Sequence, residues 1–85
     1  MFEIVLDNQA NKFLRKCEKL LFDRIVKKLE LLKLNPVPHD SKRILGTEEA
    51  TFRIRMGDYR ALYRINYETK KIIIVKIDKR ENVYS

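Results

Sequence analysis

The sequence is poor in the residues that cross-link small proteins. Its 85 residues include one cysteine, Cys17, and one histidine, His39. A single cysteine excludes an internal disulfide, and one cysteine with one histidine does not supply the ligand set of a structural zinc site. We therefore expect no metal and no cofactor, and we expect the fold to be held by its hydrophobic core alone.

Long apolar stretches are also missing. The longest aliphatic run, at residues 72–75, is far shorter than the roughly 20 residues that a membrane-spanning helix needs. The first residues lack the basic flank and the small-residue cleavage site of a signal peptide. The sequence thus predicts a cytoplasmic protein with no membrane partner, and its length predicts a single domain over residues 1–85.

Positive charge predominates. Nineteen lysines and arginines face twelve acidic residues, which gives a net charge of +7, and most of the surplus lies after residue 41. A basic chain of this kind favours polyanions, namely nucleic acid, a membrane surface or an acidic protein. A solvated lysine-rich surface explains the charge equally well, so the charge alone does not decide the function.

The hydrophobic pattern predicts an α+β domain with the element order β-α-α-β-β-β. Apolar residues recur at helical spacing in two adjacent segments, and short β-prone runs precede and follow them. We expect an antiparallel β-sheet with both N-terminal helices packed on one face. The predicted strands are residues 2–6, 51–56, 59–67 and 71–78, the helices are 9–18 and 20–34, and residues 36–50 are predicted to form a loop.

Residues 51–65 are predicted to form a hairpin with one strongly basic face. Gly57 and Asp58 fit a two-residue turn, which places Arg55 opposite Arg60. Alternation then directs the apolar side chains to the core, and the outer face carries Arg53, Arg55, Arg60 and Arg64. Like charges that face each other weaken a strand pair. We therefore expect this face to meet an anionic partner.

Clustered arginines suit phosphate because the guanidinium group is planar, permanently charged and able to form paired hydrogen bonds. They could bind an RNA backbone and stabilise charge that develops on a phosphate. Cleavage by a 2′-hydroxyl would also need groups that take up and release protons. Tyr84, close to Arg80 in the sequence, is a candidate for that role. An acidic protein partner and a nonspecific basic patch remain alternatives, and the pattern does not choose between binding RNA and cutting it.

Three segments carry a resemblance to a known family. The segment KRILG at residues 42–46, the hairpin FRIRMGDYRALYRI at 52–65 and the ending KIDKRENVYS at 76–85 resemble the RelE/ParE toxins of type II toxin–antitoxin systems. The RelE branch fits best. The resemblance covers nearly the whole chain and implies a metal-independent endoribonuclease that cuts mRNA in the ribosomal A site by 2′-hydroxyl attack. The implied partners are the ribosome, mRNA and a RelB-like antitoxin that joins the toxin in a hetero-oligomer.

The resemblance also implies roles for individual residues. Arg60 would stabilise the transition state, Arg80 would support the scissile phosphate and the leaving group, and Tyr84 would activate or stack on the nucleotide. The implied catalytic set is Arg53, Arg55, Arg60, Arg80 and Tyr84, and the expected RNA-binding set is Lys42, Arg43, Arg64, Lys76 and Lys79. The best-known pattern has lysines at positions 53 and 55, and an arginine is effectively never deprotonated.

Two alternative functions share the predicted fold. One is a ParE-like inhibitor of DNA gyrase, which a supercoiling assay would reveal. The other is a noncatalytic basic module, which would bind RNA or ribosomes with the salt dependence of phosphate contacts but would release no cut product.

Overall fold

The computed structural model describes residues 1–44 and 50–83. Within them, five strands form one sheet in the order β1-β5-β4-β3-β2, and two helices cover one of its faces. The predicted α+β class is therefore confirmed. The elements are β1 Glu3–Leu6, α1 Asn8–Lys16, α2 Lys19–Leu34, β2 Ser41–Arg43, β3 Thr51–Met56, β4 Tyr59–Asn66 and β5 Lys71–Lys79.

Two features of the sheet differ from the sequence-based expectation. Residues 36–50 were predicted to form a loop, but they contain β2, which pairs antiparallel with β3. A strand of three residues is too short to show an alternating pattern, which explains why the sequence did not reveal it. In addition, β1 pairs parallel with β5, so the sheet is mixed. The strands β2 to β5 form the antiparallel part.

The two helices are separate elements that meet at a bend. The carboxylate of Asp7 caps α1 by accepting a hydrogen bond of 2.9 Å from the N–H group of Asn8. Cys17 and Glu18 both have extended backbone, with ψ angles of 159° and 160°, so the chain cannot continue as one helix. None of the helices in the described part of the chain is long and apolar enough to cross a membrane.

The core lies between the helices and one face of the sheet. The helices contribute Ala10, Leu14, Ile25, Leu29 and Leu32, and the sheet contributes Phe52, Ile54, Met56, Ala61, Tyr63, Ile65, Ile72, Ile74 and Ile77. The alternation predicted for β3 and β4 is confirmed. The pairing of β4 with β5 shifts between Leu62 and Tyr63 of β4. Residues three positions apart in a regular strand lie on opposite faces, but because of this irregularity Ile74 and Ile77 of β5 both face the core.

A buried tyrosine ties the sheet to the loop that follows α2. Tyr63 is fully buried, and its hydroxyl donates a hydrogen bond of 2.7 Å to the carbonyl of Pro36. Burial raises the pKa of Tyr63 to about 12. The same loop is held to α2 by an ion pair between Lys28 and Asp40, and the hydrogen bond from Lys28 lowers the pKa of Asp40 below its usual value.

Replacing Tyr63 by phenylalanine tests this link. We expect Tyr63→Phe to lower the free energy of unfolding at pH 7 by about 1 kcal/mol, because the carbonyl of Pro36 loses its donor. The native pKa of about 12 lies above the unfolded value of about 10. The stability linked to the protonated hydroxyl is therefore complete below pH 10 and is lost as the pH rises toward 12.

Urea unfolding at several pH values would measure this difference. The wild type should lose about 2 to 3 kcal/mol more than Tyr63→Phe between pH 10 and 12. Lysine titration contributes equally to both proteins and cancels in the comparison. Parallel pH profiles of the two proteins would contradict the assigned burial of the hydroxyl.

Candidate functional site

The predicted arginine hairpin is present with the predicted register. Arg55 pairs with Arg60, Arg53 with Leu62, and Thr51 with Arg64. Gly57 has a φ of 66° in the connecting turn, a conformation that glycine adopts without strain. Paired residues share a face of the sheet, so the four arginines lie on the face opposite the helices, as the alternation predicted.

Arg60 is not exposed beside Arg55 as the sequence suggested. It is only 7% exposed, and its Nη1 donates hydrogen bonds of 2.8 Å to the carbonyls of Gly57 and Tyr59. Its partner across the sheet on β5 is the acidic residue Asp78. The guanidinium group thus turns back onto the turn, and the carbonyls and the neighbouring acid offset the repulsion expected between Arg55 and Arg60. Alternation assigns a face but gives no information on these contacts.

The chain after β5 returns to the same turn. The backbone N–H of Arg80 donates a hydrogen bond of 3.0 Å to the carbonyl of Asp58, and Nζ of Lys76 donates one of 3.1 Å to the carbonyl of Asn82. Arg60 and Arg80 consequently line one cleft of about 370 Å³. Arg60 and Arg80 are far apart in the sequence and were assigned to one site, and the fold places them in the same cleft.

Arg53 carries a donor that the described residues leave unused. Its Nε is buried and has no hydrogen-bond partner among them. Across β2 and β4, Arg53 faces Lys42 and Leu62. A buried donor without a partner costs about 1 to 3 kcal/mol, and an anion that accepted a hydrogen bond from Nε would recover part of that free energy. Arg53 with Lys42 is therefore a suitable position for a phosphate oxygen.

The other predicted RNA-binding residues are spread over the molecule. Arg64 lies on the arginine face but about 13 Å along β4 from Arg60, given the rise per residue of a strand. Lys79 pairs with Tyr59 and lines the cleft of Arg60 and Arg80.

Arg43 lies on the other face of the sheet from Lys42. The pairing of Lys42 with Arg53 sends the next residue of β2 to the opposite side of the sheet. There the guanidinium group of Arg43 lies 5.8 Å from the ring centroid of Phe52. The structure therefore does not bring Arg43 together with the four arginines.

Two parts of the sequence-based assignment lie outside the described residues. They are Tyr84, the predicted catalytic tyrosine, and residues 45–46 at the end of the KRILG segment. Tyr59 and Tyr63 face the core side of the sheet, and both contact aromatic residues there. Neither of them therefore lies on the face that carries the four arginines.

Because Arg60 is buried and Arg55 is exposed, their replacement should change the free energy of unfolding by different amounts. We expect Arg60→Ala to lower the free energy of unfolding by about 1 to 3 kcal/mol, because it removes the donor to two turn carbonyls. Arg55→Ala serves as the matched control. It removes an exposed arginine from the same strand pair and should change stability by no more than about 0.5 kcal/mol. If urea denaturation gave the same change in the free energy of unfolding for both variants, Arg60 would not support the turn.

A family model and several known proteins match this chain. Residues 4–84 match the family described as ParE toxin of type II toxin–antitoxin system, parDE. The chain is also 41% identical over 59 residues to a protein of Methanocaldococcus jannaschii named as toxin RelE1. That match covers 66% of this chain and 64% of the relative, which is less than two thirds of the relative's length.

Two solved structures share the fold over almost the full chain. The archaeal RelE–RelB complex from Pyrococcus horikoshii matches with 29% identity and a TM-score of 0.83, covering 96% of this chain and 98% of that one. The toxin–antitoxin complex RelBE2 from Mycobacterium tuberculosis matches with 26% identity and a TM-score of 0.80, covering 93% and 98%. Both relatives were solved as toxin–antitoxin complexes.

Proposed function

The chain belongs to the RelE/ParE superfamily of toxins from type II toxin–antitoxin systems, and on that premise we propose that it is a ribosome-dependent endoribonuclease that cuts mRNA in the A site. The observation that carries the proposal is the meeting of Arg60 and Arg80 in one cleft at the hairpin turn, beside the exposed Arg55. Such a cluster of cations, in which the turn carbonyls hold Arg60, fits a phosphodiester group.

The reaction proposed is attack of a 2′-hydroxyl oxygen on the neighbouring phosphorus. The 2′-hydroxyl gives up its proton as its oxygen bonds to phosphorus, the bond from phosphorus to the 5′-oxygen breaks, and the departing 5′-oxygen takes up a proton. The products are a 2′,3′-cyclic phosphate and a 5′-hydroxyl. Arg60 would stabilise the charge on the non-bridging oxygens, because its guanidinium group is already held by the turn carbonyls and needs little reorganisation. Arg53, which shares the face of Arg60, would help to clamp the phosphate once its side chain turns toward the RNA strand.

Groups other than the arginines must carry out the proton transfers. An arginine is effectively never deprotonated and cannot act as a general base. Tyr84 is the residue that we propose for contact with the 2′-hydroxyl or for stacking on the base. Arg80, whose backbone is fixed to Asp58, would neutralise charge on the leaving oxygen. Arg55 and Lys42 would bind the adjacent backbone.

The partners follow from the charge of the chain and from its relatives. The net charge of +7 favours association with ribosomal RNA, and a ribosome-bound enzyme would act in the cytoplasm. A RelB-like antitoxin would neutralise the toxin within a hetero-oligomer. The structures of its relatives as toxin–antitoxin complexes support this assembly.

Primer extension on mRNA in a translating extract tests the nuclease directly. Arg55→Gln and Arg80→Gln each remove an exposed cation. Arg80→Gln should reduce cutting at A-site codons by about a hundred-fold, a typical cost of losing one transition-state donor, and Arg55→Gln, which removes a contact to the adjacent backbone, should reduce it by about ten-fold. Lys71→Gln is the control, since it removes an exposed charge at the start of β5 and should leave cutting unchanged. Omission of ribosomes should abolish the cuts.

The result that would overturn the nuclease is intact mRNA in the presence of folded wild-type protein and ribosomes. Salt-dependent RNA binding without a product would then favour the noncatalytic module. Equal loss in all three variants would point to net charge instead of a site.

A second function is favoured by the family model, because that model describes a ParE toxin. A ParE-like toxin would inhibit DNA gyrase. Gyrase supercoiling should continue in the presence of this protein if the nuclease proposal is right. Blocked supercoiling together with intact mRNA would establish the second function in its place.

A further inference from the structure

A second group of cations lies beside the hairpin turn on the helix side of the molecule. Arg24 and Lys27, one helical turn apart on α2, line a cleft of about 290 Å³ together with Arg55 and Gly57. The cleft is completed by Lys28, Leu31 and Met56. None of these described lining residues is acidic. Arg55 thus takes part both in the hairpin face and in this cleft beside α2.

The guanidinium group of Arg24 lies directly against the turn. A Cβ atom added to Gly57 would fall 2.6 Å from Nη2 of Arg24, which is closer than nonbonded atoms approach. The φ of 66° favours glycine at this position, whereas the end of a flexible arginine side chain can move away from an added Cβ. The head group of Arg24 thus lies at the turn, next to the strand that carries Arg55.

Two carboxylates near α2 are engaged elsewhere, while Asp58 follows Gly57 in the turn and lines the cleft of Arg60 and Arg80. Asp40 forms its ion pair with Lys28, and Asp23 pairs with Lys19 at 3.5 Å. Within the described part of the chain, no carboxylate forms an ion pair with Arg24, Lys27 or Arg55. All three of these side chains are exposed, and their mutual repulsion would be relieved by a bound anion.

The cleft on α2 and the arginine face meet at the same turn. Arg55 lines the cleft and is the cross-strand partner of Arg60. Gly57 contacts Arg24 on one side, and its carbonyl accepts the hydrogen bond from Arg60 on the other. Arg55 therefore links the two groups of cations, and the cleft of Arg60 and Arg80 is lined in addition by the acidic residues Asp58 and Glu81.

We propose that Arg24, Lys27 and Arg55 form a second phosphate-binding site that holds the RNA backbone away from the phosphate at Arg60 and Arg80. The choice of RNA as the ligand rests on the proposed nuclease function. A guanidinium group can bind two phosphate oxygens at once, and the ammonium group of Lys27 adds a further contact. Contacts of this kind fix the position of the strand and carry no sequence preference.

A pair of double variants tests the site. Arg24→Gln with Lys27→Gln removes both α2 cations. The control, Arg15→Gln with Lys16→Gln, removes one arginine and one lysine that are exposed at the end of α1 and changes the net charge equally. The probe is a twelve-nucleotide single-stranded RNA with 2′-O-methyl groups, which cannot be cut by 2′-hydroxyl attack. Fluorescence anisotropy measures its binding over a range of salt concentrations.

The expected result is a change in salt dependence. For single strands each phosphate contact contributes about 0.7 to the slope of log K against log salt concentration. Loss of two contacts should therefore reduce the slope of the α2 variant by about 1.4, while the α1 control keeps the wild-type slope. Equal slopes in both double variants, or no change in either, would overturn the site.

The phosphate-binding site proposed at α2 and the nuclease activity proposed above can be tested independently of each other. The probe reports binding without cleavage, and the mRNA cutting assay reports cleavage without this probe. A slope difference combined with uncut mRNA would retain the phosphate site and reject the nuclease. Cut mRNA combined with identical slopes would retain the nuclease and reject the site.

Discussion

The backbone carbonyls of the turn between β3 and β4 organise the predicted site. The carbonyl of Gly57 accepts a hydrogen bond from the side chain of Arg60, and the carbonyl of Asp58 accepts one from the backbone of Arg80. The side chain of Arg60 and the backbone of Arg80 are thereby bonded to adjacent peptide units. The turn can present both carbonyls because Gly57 adopts a φ of 66°, which an L side chain would disfavour.

The structure separates the arginines into two physical kinds. Arg60 is buried and its charge is balanced by turn carbonyls and by the neighbouring Asp78, so its position is largely fixed before any ligand arrives. Arg55 and Arg80 are exposed and have the freedom to follow a ligand. For a reaction in which charge develops on phosphate oxygens, a fixed cation contributes more than a mobile one, because little reorganisation accompanies the reaction. Mobile cations are better suited to the capture of a strand.

Much of the hairpin was predictable because local rules determine it. A two-residue turn fixes the register of Arg55 with Arg60, and alternation fixes which side chains face the core. The parallel pairing of β1 with β5 and the irregularity beside Leu62 depend on contacts between distant segments, and the strand β2 is too short to leave a pattern. The burial of Arg60 and the placement of Arg43 on the helix side follow from such contacts, so composition and spacing could not reveal them.

The position of α2 changes what the hairpin can bind. In a two-layer domain the helices cover the apolar face of the sheet, and their cations would normally be separated from a basic face by the core. At the hairpin turn this separation ends, because the sheet ends there and Arg24 reaches around to contact Gly57. The positive surface therefore wraps around the end of the sheet instead of stopping at its edge. If one RNA strand binds both sides of the turn, an antitoxin that covered only the arginine face would leave the α2 cations able to attract RNA. Full neutralisation would require acidic groups on both sides of the turn, which an extended segment passing over Gly57 could provide.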